Sequence, residues 1–166
     1  MSAPTANVDL SAQVLELLSH GGGLGTIFGH TADEYEALYA LGHSHYSQQR
    51  YLDAAQCFSF LMAHQSLERR FICAFAACMQ MLKQYREAIE FYSTASMLDL
   101  EDPLPTFHTA ECFIALHWPQ QAREALALVV AQCQSPQWQT LRQRAQALLE
   151  LLAADGAAPA PQEHTP

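Results

Sequence analysis

The stretch QYREAIEFYSTA, residues 84–95, recurs at a fixed spacing along the chain. Moving 34 residues back reaches RYLDAAQCFSFL at residues 50–61, and moving 34 residues forward reaches WPQQAREALALV at residues 118–129. Several positions keep the same kind of side chain, small or bulky, in all three copies. A period of this length is typical of stacked helix hairpins, in which each unit buries its apolar face against the next.

Small residues return to two positions of the repeat, and we expect two helices to cross there. One position is small in the first helix of each hairpin, the other is small in the second helix, and a bulky residue lies four positions after the latter. The three sets are Gly42, Ala76 and Ala110; Ala54, Ala88 and Ala122; and Phe58, Tyr92 and Leu126. Helices approach closely only where their side chains are small, so the pattern predicts tightly packed hairpins.

This order of residues resembles the tetratricopeptide repeat, in which Leu and a small residue in the first helix are followed by Tyr, Ala, an aromatic residue and Ala in the second. We expect three repeats, at about residues 35–68, 69–102 and 103–136. The third copy has Pro119 where Tyr is usual. The resemblance implies an all-α fold of three tetratricopeptide helix hairpins in a right-handed superhelix.

Signals for helix starts agree with this register. Thr31 and Glu34 have the spacing of a capping box, in which each residue bonds the other's backbone N–H. Asp102 precedes Pro103, as a good N-cap precedes a good first helical residue. We therefore expect helices to begin at both places.

The repeats and a C-terminal capping helix are expected to occupy residues 31–152. The Ser-Pro pair at 135–136 opens the capping helix, whose apolar residues would cover the open end of the stack. Residues 153–166 have too little apolar surface to order themselves, so we expect a disordered tail. Residues 1–30 are expected to form an amphipathic helix and a Gly-rich turn.

The composition favours a cytosolic protein that binds other proteins. A formal net charge of −9 would repel a polyphosphate backbone, so nucleic-acid binding is not expected. No long apolar run and no secretory leader is recognisable, so we expect neither a membrane span nor export. The five cysteines form no CxxC pair and lie in apolar segments, which is typical of buried reduced thiols.

Catalytic and metal-binding motifs are not recognisable. The GGGLG stretch at 21–25 lacks the GK[ST] of a phosphate loop and is better explained as a helix stop. His108 and Cys112 lie one helical turn apart, but no second pair completes a zinc site. We expect no enzyme activity, no metal and no cofactor.

Residues of each first helix that do not fill the core should face the concave side of a hairpin stack and bind a partner there. The candidates are Tyr39, His43 and Tyr46 in repeat one, Arg70, Cys73, Ala77 and Gln80 in repeat two, and Phe107, His108 and Glu111 in repeat three. The alternative is that some of them pack against the N-terminal helix, because aromatic residues at helical spacing are more often core.

A narrower resemblance covers nearly the whole folded chain. It rests on Gly21–Gly23, Tyr39, Tyr46, Tyr51, Arg70–Phe71, Ala77–Cys78, Asp102–Pro103 and FHTAEC at 107–112. Together these resemble the class II chaperones of bacterial type III secretion, small acidic proteins of three tetratricopeptide repeats. The resemblance implies a chaperone in the bacterial cytoplasm that keeps hydrophobic translocator subunits soluble and apart before export.

The resemblance also implies how a client is held. An extended segment with a Pro-x-Leu-x-x-Pro type motif would lie in the concave groove, with its apolar side chains between the rings of Tyr39, Tyr46 and Tyr51. His43 stands where relatives are expected to have a bulkier apolar or aromatic residue, so client preference is expected to differ. The alternative function is a general tetratricopeptide adaptor for protein–protein interaction, including a regulatory one.

We predict that the N-terminal helix makes the protein a weak homodimer. A short helix cannot bury its apolar stripe alone, and the stripe consists of Leu10, Val14, Leu17 and Leu18. Removing residues 1–20 should therefore convert a concentration-dependent dimer into a monomer in sedimentation experiments. Equal masses for the full and shortened chains at high concentration would contradict this prediction.

Overall fold

The computed structural model describes residues 31–156 of the chain, and these residues form helices joined by short turns. In this part of the chain there are seven α-helices, one short 3-10 helix and no strand. The helices are α1 (Ala32–Ser47), α2 (Tyr51–His64), α3 (Arg69–Met81), α4 (Tyr85–Leu98), α5 (Leu104–Ala115), α6 (Pro119–Gln132), the 3-10 helix (Pro136–Trp138) and α7 (Gln139–Gly156). The all-α prediction is confirmed. The predicted N-terminal helix, with its dimerisation stripe, lies outside the described residues.

The chain divides into two compact units between Ala74 and Phe75, inside α3. In the first unit α1 packs against α2. In the second unit α4 packs against α5, α5 against α6, and α6 against α7. None of the helices in residues 31–156 is long and apolar enough to cross a membrane.

The predicted small positions are buried, as a tight hairpin requires. Ala76, Ala110 and the three alanines of the second helices are 0% exposed. At Gly42 a Cβ atom would lie 2.6 Å from Cε1 of Phe58, closer than real carbon atoms approach each other. Gly42 is therefore needed because the Phe58 ring occupies the space of a side chain. The bulky residues that follow, Phe58, Tyr92 and Leu126, are at most 2% exposed.

A left-handed turn joins the two helices of every repeat. Just past each first helix, one residue has a positive φ, namely Gln49 (62°), Lys83 (62°) and His117 (57°), and these positions are 34 residues apart. The next residue donates its backbone N–H to a carbonyl five residues back, in the pairs Arg50–His45 (2.9 Å), Gln84–Met79 (2.8 Å) and Trp118–Phe113 (2.9 Å). This is the Schellman motif, which usually has glycine at the left-handed residue.

Helix starts follow the predicted signals, with one shift. Thr31 and Glu34 form the capping box, with Glu34 Oε2 accepting from the Thr31 N–H at 2.7 Å and Thr31 Oγ1 accepting from the Glu34 N–H at 3.3 Å. The Asp102 carboxylate accepts from the N–H of Leu104 at 2.8 Å, and α5 begins at Leu104, one residue later than expected. Pro119 is the first residue of α6, where a proline needs no hydrogen-bond acceptor.

The capping helix differs slightly from its predicted bounds. Its first turn is the 3-10 helix, and α7 continues to Gly156, four residues beyond Leu152. Residues 153–156 therefore extend the helix, although the sequence predicted that the tail begins there. Leu141 and Ala145 of α7 join Phe107, Leu126 and other residues in the core of the second unit.

We predict that replacing Gln49 with Gly stabilises the protein. A non-glycine residue pays about 1–2 kcal/mol in the left-handed region, and glycine loses about 0.5–1 kcal/mol through the unfolded chain, so the net gain should be about 0.5–1 kcal/mol. Gln48→Gly is the matched control, because Gln48 has a φ of −85° and should only lose stability. Urea unfolding of both variants measures the difference, and a loss at Gln49 equal to that at Gln48 would contradict the prediction.

Candidate peptide-binding surfaces

The residues predicted to face a groove fall in both units, and each unit carries its own surface. The aromatic surface, in the first unit, consists of Tyr39, His43, Tyr46, Tyr51, Arg70 and Cys73. The polar surface, in the second unit, has Gln80, His108 and Glu111 as its hydrogen-bonding residues, beside Ala77. Neither surface had been tested as a binding site before, and the geometry of each is given separately.

Tyr39 lies at the centre of the aromatic surface. Its ring centroid is 4.5 Å from that of His43, 5.3 Å from Phe71 and 5.7 Å from Phe58, in edge-on or tilted arrangements that favour aromatic pairs. The side chain is half-buried, and this burial raises the pKa of the Tyr39 hydroxyl although the charge of Arg70 opposes the rise. Tyr39 therefore offers a fixed, neutral ring that is partly open to a partner.

Tyr46 and Tyr51 form a second ring pair on the same unit. Tyr46 is in the last turn of α1, Tyr51 is the first residue of α2, and their centroids are 5.3 Å apart at an angle of 68°. The left-handed turn at Gln49 brings the two together, because it reverses the chain between them. Both rings are partly exposed. They can bind an apolar or proline side chain without further ordering of the backbone.

Arg70 covers the Tyr39 ring and is held by an acidic residue that the sequence interpretation missed. Its guanidinium carbon lies 5.1 Å from the centroid of Tyr39 and 4.9 Å from that of Phe71. Glu36 Oε2 accepts from Nη1 of Arg70 at 3.0 Å, and Glu36 Oε1 accepts from Nη2. The hydrogen bonds from Arg70 hold the pKa of Glu36 below its ordinary value. The signal available in the sequence was an opposite charge exactly one repeat apart, at positions 36 and 70.

The polar surface is a chain of hydrogen bonds centred on Glu111. Glu111 Oε2 accepts from the Gln80 side-chain amide at 3.2 Å and lies 2.9 Å from Nδ1 of His108. Gln80 Oε1 in turn accepts from the Tyr92 hydroxyl at 2.9 Å, and the Tyr92 ring stacks on His108 at 5.2 Å. These groups orient one another, and together they could hydrogen-bond the backbone of an extended peptide.

The Glu111 carboxylate is kept ionised by its neighbours. Burial alone would raise its pKa, but the hydrogen bonds from His108 and Gln80, with the positive charge of Arg144, outweigh burial and lower the pKa below its ordinary value of 4.5. Arg144 Nη2 lies 3.6 Å from Glu111 Oε1. Arg144 is on α7, and its place beside Glu111 was not predicted because no sequence spacing relates the capping helix to the repeats.

Phe107 does not fit the predicted groove. Its side chain is only 1% exposed and belongs to the core of the second unit, where the Arg144 guanidinium lies 4.8 Å from its ring centroid. The helical spacing placed Phe107 beside His108, but Phe107 turns toward α6 and α7, which share that core. Only the polar neighbours of Phe107 remain candidates for binding.

The pair His108 and Cys112 has no metal-binding geometry around it. Burial raises the pKa of the Cys112 thiol to about 12, with the Glu111 charge adding to the rise, so the sulfur is protonated at neutral pH. In residues 31–156 no group of three or more His, Cys, Asp and Glu side chains is placed to hold a metal ion.

The fold and the two surfaces define a repeat protein of helix hairpins that binds other polypeptides. No protein-family model matches the sequence. A chain in the crystal structure of a type III secretion system (T3SS) complex from Aeromonas hydrophila is 30% identical, with a TM-score of 0.81, over 89% of this chain and 99% of that one.

Two further solved structures contain bound peptides. PcrH in complex with the chaperone binding region of PopD is 31% identical, with a TM-score of 0.73, over 77% of this chain and 97% of PcrH. The Yersinia enterocolitica type III secretion chaperone SycD in complex with a peptide of the translocator YopD is 29% identical, with a TM-score of 0.72, over 76% of this chain and 97% of SycD. The chain belongs to the tetratricopeptide-type, class II chaperones of type III secretion.

We predict that Glu111→Gln destabilises the second unit in a pH-dependent way. A carboxylate with a lowered folded pKa contributes stability above about pH 4.5 and loses it as the pH falls through the folded pKa. The variant should lose about 1–2 kcal/mol at neutral pH and much less near pH 3. Urea unfolding at the two pH values measures this.

The matched control is Glu124→Gln, because Glu124 is an exposed residue whose carboxylate accepts from the Gln120 amide. Its effect should be small at both pH values. A loss at Glu111 that is the same at neutral and acidic pH would show that the ionised carboxylate does not stabilise the fold.

Proposed function

We propose that this protein is a cytoplasmic chaperone that binds hydrophobic translocator subunits of a bacterial type III secretion system. The observation that carries the proposal is the aromatic surface, on which three tyrosine rings are held half-open by their neighbours in a chain of this family. Binding requires no catalysis, and the protein acts on its client by covering it.

The chemistry of the aromatic surface suits an extended, proline-containing segment. Tyrosine rings bury a large apolar area and have few rotatable bonds, so they lose little entropy on binding. Proline has already lost backbone freedom, so a Pro-x-Leu-x-x-Pro segment also loses little when it binds. The pairs Tyr39–His43 and Tyr46–Tyr51 offer two ring-bounded positions for its apolar side chains.

Covering such a segment prevents aggregation of the client. A translocator subunit must expose apolar surface to enter a membrane, and the same surface would associate with other chains in water. A chaperone that occupies one segment of each subunit also keeps two subunits apart before export. The negative net charge of the chaperone, −9, favours solubility of the complex.

We predict that the aromatic surface is the client site. Tyr39→Leu and Tyr46→Ala should each weaken binding of a fluorescent peptide with the Pro-x-Leu-x-x-Pro motif by about 1–3 kcal/mol, the usual range for losing a buried aromatic anchor. Leucine is used at position 39 because the ring also packs on Phe58 and Phe71, and an apolar replacement limits the loss of stability.

Phe60→Leu is the matched control, because Phe60 is an exposed ring on α2 outside the aromatic surface. It should leave peptide affinity unchanged in fluorescence titrations, with thermal melts confirming that all variants are folded. Unchanged affinity in a folded Tyr39→Leu, Tyr46→Ala double variant would show that the client binds elsewhere. Equal affinity for a peptide with both prolines and the leucine replaced would favour the general adaptor instead.

A further inference from the structure

We infer that Glu36 is a positioning residue for client binding: it holds Arg70 over the Tyr39 ring and so fixes the shape of the aromatic surface. The inference rests on the proposed function, because Tyr39 is a client anchor there. It also changes the role of Arg70, which the sequence analysis placed in the groove as a client contact. In the structure the guanidinium is already occupied by protein groups on several sides.

The contacts of Arg70 leave its guanidinium few free directions. The Glu36 carboxylate accepts from both terminal nitrogens, and Oε1 of Glu68 lies 3.4 Å from Nε. The faces of Tyr39 and Phe71 lie within 5.1 Å of the guanidinium carbon. Paired bonds of this kind fix the plane of a guanidinium, which a single ammonium contact could not do.

Glu36 and Tyr39 lie about one turn apart on α1, so the helix itself sets the distance between the carboxylate and the ring. Arg70 reaches both from α3. The ion pair therefore fixes Arg70 against the same face of α1 that presents Tyr39. Without Glu36, the long arginine side chain would be drawn to Glu68 or to water, and the Tyr39 ring would lose its cover.

The effect on stability should be small and the effect on the surface larger. The side chains of Arg70 and Glu36 are 42% and 53% exposed, and exposed ion pairs contribute little to folding. A guanidinium that restrains a ring instead lowers the entropy that the ring must lose when a client binds. Variants at position 36 should therefore fold and can be tested for binding.

The first test measures the Tyr39 ring in the free protein. In Glu36→Gln, the aromatic NMR resonances of Tyr39 should shift, because the arginine leaves the ring face. Asp53→Asn is the matched control: it removes another exposed ion pair of the first unit, Arg50–Asp53 at 2.8 Å, which is not among the contacts of Tyr39. Tyr39 resonances that are the same in Glu36→Gln and in the unaltered chain would overturn the inference, whether or not any peptide binds.

The second test uses a peptide with the Pro-x-Leu-x-x-Pro motif between uncharged flanks. Glu36→Gln and Arg70→Lys should each weaken its binding about three- to fivefold, since lysine keeps the charge but not the paired geometry. Asp53→Asn should not change affinity. If Arg70 instead contacted the client directly, Glu36→Gln would release it, and unchanged or tighter binding in that variant would overturn the inference.

A double-variant cycle shows whether Glu36 acts through Tyr39. Adding Glu36→Gln to Tyr39→Leu should weaken binding no further than Tyr39→Leu does alone. Additive losses would overturn the positioning role. The proposed function fails separately, if the unaltered chain does not bind the peptide or if Tyr39→Leu binds it as well as the unaltered chain does.

Discussion

Close packing within each helix hairpin is the constraint on which the rest of the structure depends. It requires small residues at the buried positions of both helices, and all of these are alanine except Gly42, where the Phe58 ring fills the place of a side chain. The left-handed turn after each first helix then sets where the second helix begins. Because both features recur with the repeat, each first helix presents its remaining face in the same way, and that face carries the candidate binding residues.

The scaffold and the aromatic surface are not separate sets of residues. The repeat pattern assigns Tyr39 to the surface and Phe58 to the scaffold, yet their ring centroids are 5.7 Å apart, and His43 lies 5.4 Å from the same Phe58 ring. A buried ring therefore supports the two exposed ones. Precise placement of Tyr39 follows from this packing, and a change at Tyr39 affects both stability and binding.

The sequence predicted those features that recur with the repeat or follow from local chemistry. The buried alanines, the Thr31 capping box and the helix start at Pro119 belong to this group, because each depends on a few neighbouring residues. The left-handed turns were not predicted, because Gln49 is not a glycine or an asparagine, which usually mark such a turn.

Contacts between distant helices could not be predicted in the same way. Arg144 reaches Glu111 from α7, and Phe107 is buried with α6 and α7, although helical spacing alone placed it beside His108 on the surface. The Glu36–Arg70 pair is an intermediate case, since its register was present in the sequence but opposite charges at that spacing also occur without contact. In a chain with only eight Lys and Arg, an arginine held by two acidic residues is more informative than an acidic one. Its position shows that the charge serves the tyrosine ring beside it, because a free cation on so acidic a protein would gain little from either carboxylate in water.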